Sequence, residues 1–198
     1  MKYRLIALLA GVLALSGCGA TGDGVKGEVI RMNMQQGAEF SDKVLDETLA
    51  AVAPPVKWTH GETTDGSCRG SNTGSITRRR AVMTLISEQR RGNFLGVVER
   101  YWKSRGYEIT DTAADKEFPA IFASAPGDFR MSLEFGDKGQ AFFDVTTPCL
   151  QESEVSPPKS ETNGPNYAGS EIPYPDQRSD FWSAGTPMPS STPSKESH

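Results

Sequence analysis

Apolar positions recur between residues 40 and 150 with two distinct periods. Phe40, Val44, Leu45, Leu49 and Val52 fall at helical spacing and predict a first helix. Ser41 or Asp42 suits its start, and Ala53-Pro54-Pro55 its end, because a residue before proline is pushed out of helical backbone. Val56 to Thr63 predicts a strand with Val56, Trp58 and His60 on one face. The Gly-, Ser- and Asn-rich stretch from Asp65 to Gly74 predicts a loop carrying Cys68. Ser75 to Ile86 reads as a long strand, and the run Ala81-Val82-Met83 predicts cover on both of its faces. Ser87-Glu88 then opens a second helix with the stripe Phe94, Leu95, Val98, Tyr101 and Trp102, closed by Gly106 as a left-handed cap.

Beyond Gly106 the period shortens to two. Tyr107 and Ile109, then Ala120 to Ser124, then Phe129, Met131, Leu133 and Phe135, then Phe143, Val145 and Thr147 predict strands. Ala125-Pro126-Gly127-Asp128 and Gly136-Asp137-Lys138-Gly139 are the turns between the last three. The order helix, strand, strand, helix and antiparallel meander predicts an α+β two-layer sandwich, an antiparallel sheet with two helices on one face.

The flanks lack this patterning. Residues 18–39 are interrupted by Gly19, Gly22, Gly24 and Gly27 and read as a flexible tether. Residues 151–198 hold most of the 13 prolines and are rich in serine, so they read as a disordered tail. Tyr174 and the pair Phe181-Trp182 stand out in it as a candidate docking motif. The globular unit is therefore expected at residues 40–150.

Composition narrows the function classes. A hydrophobic fraction of 36% with 20 glycines is globular rather than wholly disordered. No apolar run reaches the ~18 residues of a membrane-spanning helix, which excludes a multi-pass helical protein. A net charge of −4 argues against a nucleic-acid partner.

Residues 1–17 form a separate segment. Lys2 and Arg4 precede an apolar stretch from Leu5 to Leu15, and small residues lead to Cys18. That is the layout of a signal peptide. Leu15-Ser16-Gly17-Cys18 resembles the lipobox of bacterial lipoproteins. The resemblance implies cleavage before Cys18, diacylglycerol on its sulfur, added acyl chains such as palmitate, and a place on the extracytoplasmic face of the cell membrane. Each buried methylene contributes ~0.8 kcal/mol, so two or three chains hold such a protein firmly.

With Cys18 assigned to lipid, Cys68 and Cys149 remain. In an exported protein an even pair reads as a disulfide; a redox thiol or metal ligand is the alternative, and neither cysteine lies in a CxxC motif.

Candidate chemistry is sparse. Arg78-Arg79-Arg80 is the densest basic run, and on a strand Arg78 and Arg80 share one side. With Arg69, Arg90 and Arg91 they are candidate ligands for phosphate or an acidic polymer; pairing with the chain's own acids is the competing reading. His60 is the one histidine of residues 40–150, and no GxSxG, SxxK, HExxH or phosphate-loop motif occurs. Asp65, Glu62 and His60 match no familiar metal spacing. Asp111, Asp115, Glu117 and Asp144 lie near expected turns, where paired carboxylates serve glycoside hydrolysis if they converge. No catalytic residue, cofactor or metal is assigned.

The Trp58-Thr59-His60 segment, the two cysteines and Val97-Val98-Glu99-Arg100-Tyr101-Trp102 followed by Gly106-Tyr107 also resemble small uncharacterised secreted lipoproteins of the actinobacterial type. That resemblance implies a fold and no activity. The expectation is a membrane-anchored, non-enzymatic binding or assembly module of the cell envelope, with an envelope protein or anionic polymer as partner. A cell-wall hydrolase using acidic residues and His60 is the alternative.

Overall fold

The computed structural model describes residues 32–69, 72–167 and 170–185. The expectations for the signal peptide, for Cys18 and for residues 186–198 lie outside the described residues. Helix α1 runs Met34–Ala50, strand β1 Trp58–His60, β2 Thr64–Ser67 and β3 Thr73–Val82. Helix α2 follows at Glu88–Ser104, then β4 Glu108–Ala113, β5 Ala120–Ala125, β6 Phe129–Phe135, β7 Ala141–Thr146 and β8 Leu150–Gln151. All strand pairings between these elements are antiparallel, in the order β1-β3-β7-β6-β5-β4. Both helices pack on one face, as expected for the α+β sandwich. Phe94, Val98 and Trp102 of α2 and Leu45 and Leu49 of α1 share one core with Met131, Leu133 and Phe143 of the sheet.

β3 is the hub. β1 and β2 lie end to end along one side of it, and β7 and β8 end to end along the other. The single strand expected over 56–63 is broken: residues 61–63 face only Arg78 and Arg79, so one extra residue bulges out. Part of the loop expected at 65–74 is strand instead, because Thr64–Ser67 continue the pairing with β3. The disulfide joins Cys68 to Cys149 across β3, with Cα atoms 6.0 Å apart and 81 residues of separation. Closing a loop of that length stabilises by ~4.5 kcal/mol on the chain-entropy account.

Helix α1 begins at Met34, ahead of the expected start at Ser41 or Asp42 and inside the stretch expected as a flexible tether. Asn33 caps it: its side chain accepts from the Gln36 amide while Gln36 reaches back to the Asn33 amide. Gly37 hides this first turn from a periodicity count, since glycine normally weakens helices. Its lack of a Cβ is required here. A Cβ would run into Leu150 and sit 3.0 Å from the Thr147 methyl. At the other end of the domain, α2 closes as expected, with Gly106 at φ 77° and the Tyr107 amide donating to Trp102.

The largest correction concerns residues 151–185. The expectation of a disordered tail does not hold for the described part, which is a strap bound along the domain. Ser153 accepts from the Gln35 amide, and the Ser156 amide donates to Gln35. Asn163 then treats the free edge of β1 as a strand would. Its side-chain oxygen accepts from Trp58 N at 2.9 Å and its nitrogen donates to the Val56 carbonyl at 2.9 Å. Further on, Gln177 exchanges backbone bonds with Met83 and Leu85. The strap ends by burying Trp182 completely. Few apolar residues suffice because one indole removes ~200 Å² from water, roughly 5 kcal/mol at 25 cal/mol per Å². Sheet edges invite foreign strands, and here the chain covers one of its own.

Candidate functional site

The bulge after β1 and the middle of the strap enclose a cleft of about 900 Å³. His60, Glu62 and Thr63 line one wall, and Glu161, Tyr167 and Ile172 contribute from the strap. Gly61 also lines it, and a Cβ there would collide with the Arg79 side chain.

His60 is held rather than poised. Its Nε2 lies 2.7 Å from the Ser160 carbonyl, a contact that needs the proton on Nε2. Its Nδ1 is buried and meets no hydrogen-bond partner. Burial is the main cause that lowers its pKa below 6.5, with the neighbouring Arg80 charge adding to it; the Ser160 carbonyl, Asp42 and Asp46 oppose. The imidazole is therefore neutral at pH 7, with its one free lone pair turned away from solvent. A general base needs that lone pair within reach of a substrate proton.

Behind His60 lies a buried ionic cluster. Arg78 and Arg80 lie between Ile76 and Val82 on the helix-facing side of β3, and both are nearly inaccessible at 1% and 0% exposure. Asp42 and Asp46 sit one helical turn apart on α1. Two residues of strand rise ~6.6 Å and four of helix ~6 Å, so the two charge pairs come into register. Arg80 Nη2 reaches Asp42 at 2.9 Å and Asp46 at 3.1 Å, and its guanidinium lies 5.2 Å from the Trp58 ring centre. Arg78 donates to Thr63 Oγ1 at 2.7 Å and to the Ser156 carbonyl at 2.5 Å. Its Nε is 3.3 Å from Asp42, close enough for attraction but not aligned as a hydrogen bond. Burial pushes its pKa down, and Asp42 acts against that.

These contacts correct the anion-binding expectation for Arg78 and Arg80. Their charges face Asp42 and Asp46, and most of their donors are committed to these acids, Thr63 and the strap, because unpaired cations in a core would be costly. Arg79 points the other way and forms a two-pronged pair with Asp144 at 2.8 and 2.6 Å, which raises its pKa. Arg90 lies over Phe181 at 4.3 Å, and Arg91 donates to the Glu117 carbonyl.

The scattered acids do not converge. Asp144 is taken by Arg79 on the face away from the helices. Asp115 turns its own loop by accepting from the Phe118 and Glu117 amides, which lowers its pKa. Among the described residues, no group of three or more His, Cys, Asp or Glu side chains is placed to hold a metal ion. No helix among them is long and apolar enough to cross a membrane. Trp182, noted in the sequence only as part of a docking motif, docks within the chain. It stands edge-on to Phe94 and donates from Nε1 to the Pro54 carbonyl at 2.6 Å.

The architecture is thus an α+β domain with a self-docked strap and a disulfide across its central strand. No family model matches the chain, and no curated protein matches it. Among solved structures it is similar to a DUF4853 family protein from Actinomyces odontolyticus. The identity is 10%, over 67% of this chain and 73% of that one, with a TM-score of 0.40. A likeness of that size assigns neither family nor activity.

Proposed function

We propose that this chain is a lipid-anchored extracytoplasmic protein, held to the cell membrane through Cys18, that binds an envelope component without chemically altering it. The observation that carries the anchor is Leu15-Ser16-Gly17-Cys18 placed directly after an apolar signal core. The Cys68–Cys149 disulfide supports an oxidising compartment. Binding is favoured over hydrolysis because both nitrogens of His60 are unavailable to a substrate and the acids are dispersed. The anchor is tested by growing cells with an alkyne-bearing palmitate and tagging the product. The wild-type protein takes up label and stays with membranes, and Cys18→Ser takes up none. Label on Cys18→Ser, or none on wild type, refutes the anchor. Cross-linking in intact cells followed by mass spectrometry tests the binding role, and reproducible absence of any partner counts against it.

A further inference from the structure

The strand registers organise the sheet face turned away from the helices. Ser124 pairs with Arg130, Arg130 with Thr146, and Thr146 with Thr77, which sets three hydroxyls and one guanidinium in a row across four strands. The Thr77 and Thr146 hydroxyls already share one hydrogen bond of 2.8 Å and keep donor and acceptor capacity. At one end of the row the face sinks into a cleft of about 830 Å³, within the usual range for small-molecule sites. Phe122, Arg130, Asp111 and Asp128 line it beside the Cys68–Cys149 disulfide.

Two of those side chains stand out. Arg130 and Asp128 are both exposed, and among the described residues neither side chain makes a hydrogen bond or ion pair. Every arginine of the Arg78–Arg80 run, by contrast, is paired. The cleft lining therefore contains both an uncommitted donor fork and an uncommitted acceptor. Asp111 adds a carboxylate of which one oxygen accepts from the Thr112 amide.

The chemistry of this lining selects its ligand. Two carboxylates share the lining with one guanidinium, so a polyanion meets repulsion as well as attraction, and a polycation likewise. A neutral ligand carrying many hydroxyls satisfies both signs, since each hydroxyl donates to a carboxylate and accepts from an arginine or serine. The half-buried Phe122 ring supplies an apolar plate for the C–H face of a sugar ring.

We propose that this outer-face cleft, independently of the lipid anchor, is a binding site for a neutral glycan, with Arg130 and Asp128 as its polar contacts and Phe122 as its platform.

The test uses the full chain purified in a sugar-free detergent, with chitotetraose and maltotetraose as neutral probes and dextran sulfate as the polyanion, followed by calorimetric titration. At least one neutral probe binds, and Arg130→Ala and Asp128→Asn each weaken it about tenfold with unchanged melting temperature, as expected for losing a hydrogen bond to a charged group. Glu99→Gln, on α2, binds as wild type. Absence of binding to both neutral probes overturns the proposal. So does binding that survives both cleft substitutions, or that falls equally in Glu99→Gln. Tighter binding of dextran sulfate than of either neutral probe also overturns it and marks a polyanion site. Palmitate labelling of Cys18 is read separately, so failure of the glycan site and failure of the anchor are distinguishable.

Discussion

Trp182 stands perpendicular to Phe94, with ring centres 5.1 Å apart and planes at 87°. The two residues are separated by most of the domain in sequence, yet their contact joins the end of the strap to the centre of the helix–sheet core. Phe94 in turn packs edge-on against Phe135 and Phe143 of the sheet. The strap is therefore part of the folding unit rather than an appendage.

Trp182→Ala should cost about 3–5 kcal/mol of unfolding free energy, the usual range for emptying a buried aromatic site. It also leaves the Pro54 carbonyl without its indole donor. Urea denaturation of the full chain checks this. A change below about 1 kcal/mol would show that the strap's end contributes little.

Arg80→Met should destabilise by about 3 kcal/mol or more, because Asp42 and Asp46 would then face each other without their shared cation. Adding Asp46→Asn should recover part of that loss, since Asp42 keeps Arg78 while the Asp46 carboxylate stranded by the first change is neutralised. Strict additivity of the two substitutions in denaturant unfolding would contradict the coupling.

His60 should make the fold sensitive to mild acid. Its pKa is lowered below 6.5, mainly by burial, so the unfolded chain binds the proton more readily than the folded one. The resulting stability is fully present above pH 6.5 and is lost as pH falls through that value toward the folded pKa. The urea midpoint of wild type should therefore drop between pH 7.5 and pH 5 by more than that of His60→Gln, whose amide keeps a donor for Ser160. Equal drops in the two proteins would exclude His60 as the source.

Much of the architecture was legible from period alone. The α2 stripe ending in Trp102, its Gly106 cap and the alternation in Phe129–Phe135 are local signals, and each element appears where its pattern put it. The start of α1 was not legible, because Gly37 weakens the local helical signal while serving a contact with Thr147 and Leu150 far along the chain. The ionic cluster was half legible: pairing with the chain's own acids was one of two readings of the arginine run. The choice between them depends on Asp42 and Asp46 lying across from β3, which no local spacing reveals.

The sequence by itself determined most of the elements, the α+β class and the cysteine pair, because side-chain periodicity and cysteine parity are properties of neighbouring residues and of counting. Tertiary structure alone decided the fate of the proline-rich strap, the burial of Arg78 and Arg80, and the pairing of Trp182 with Phe94. Each of those rests on a partner distant in sequence. A short segment with few apolar residues reads as unable to offset its ordering entropy until the cavity that receives its one indole is in place.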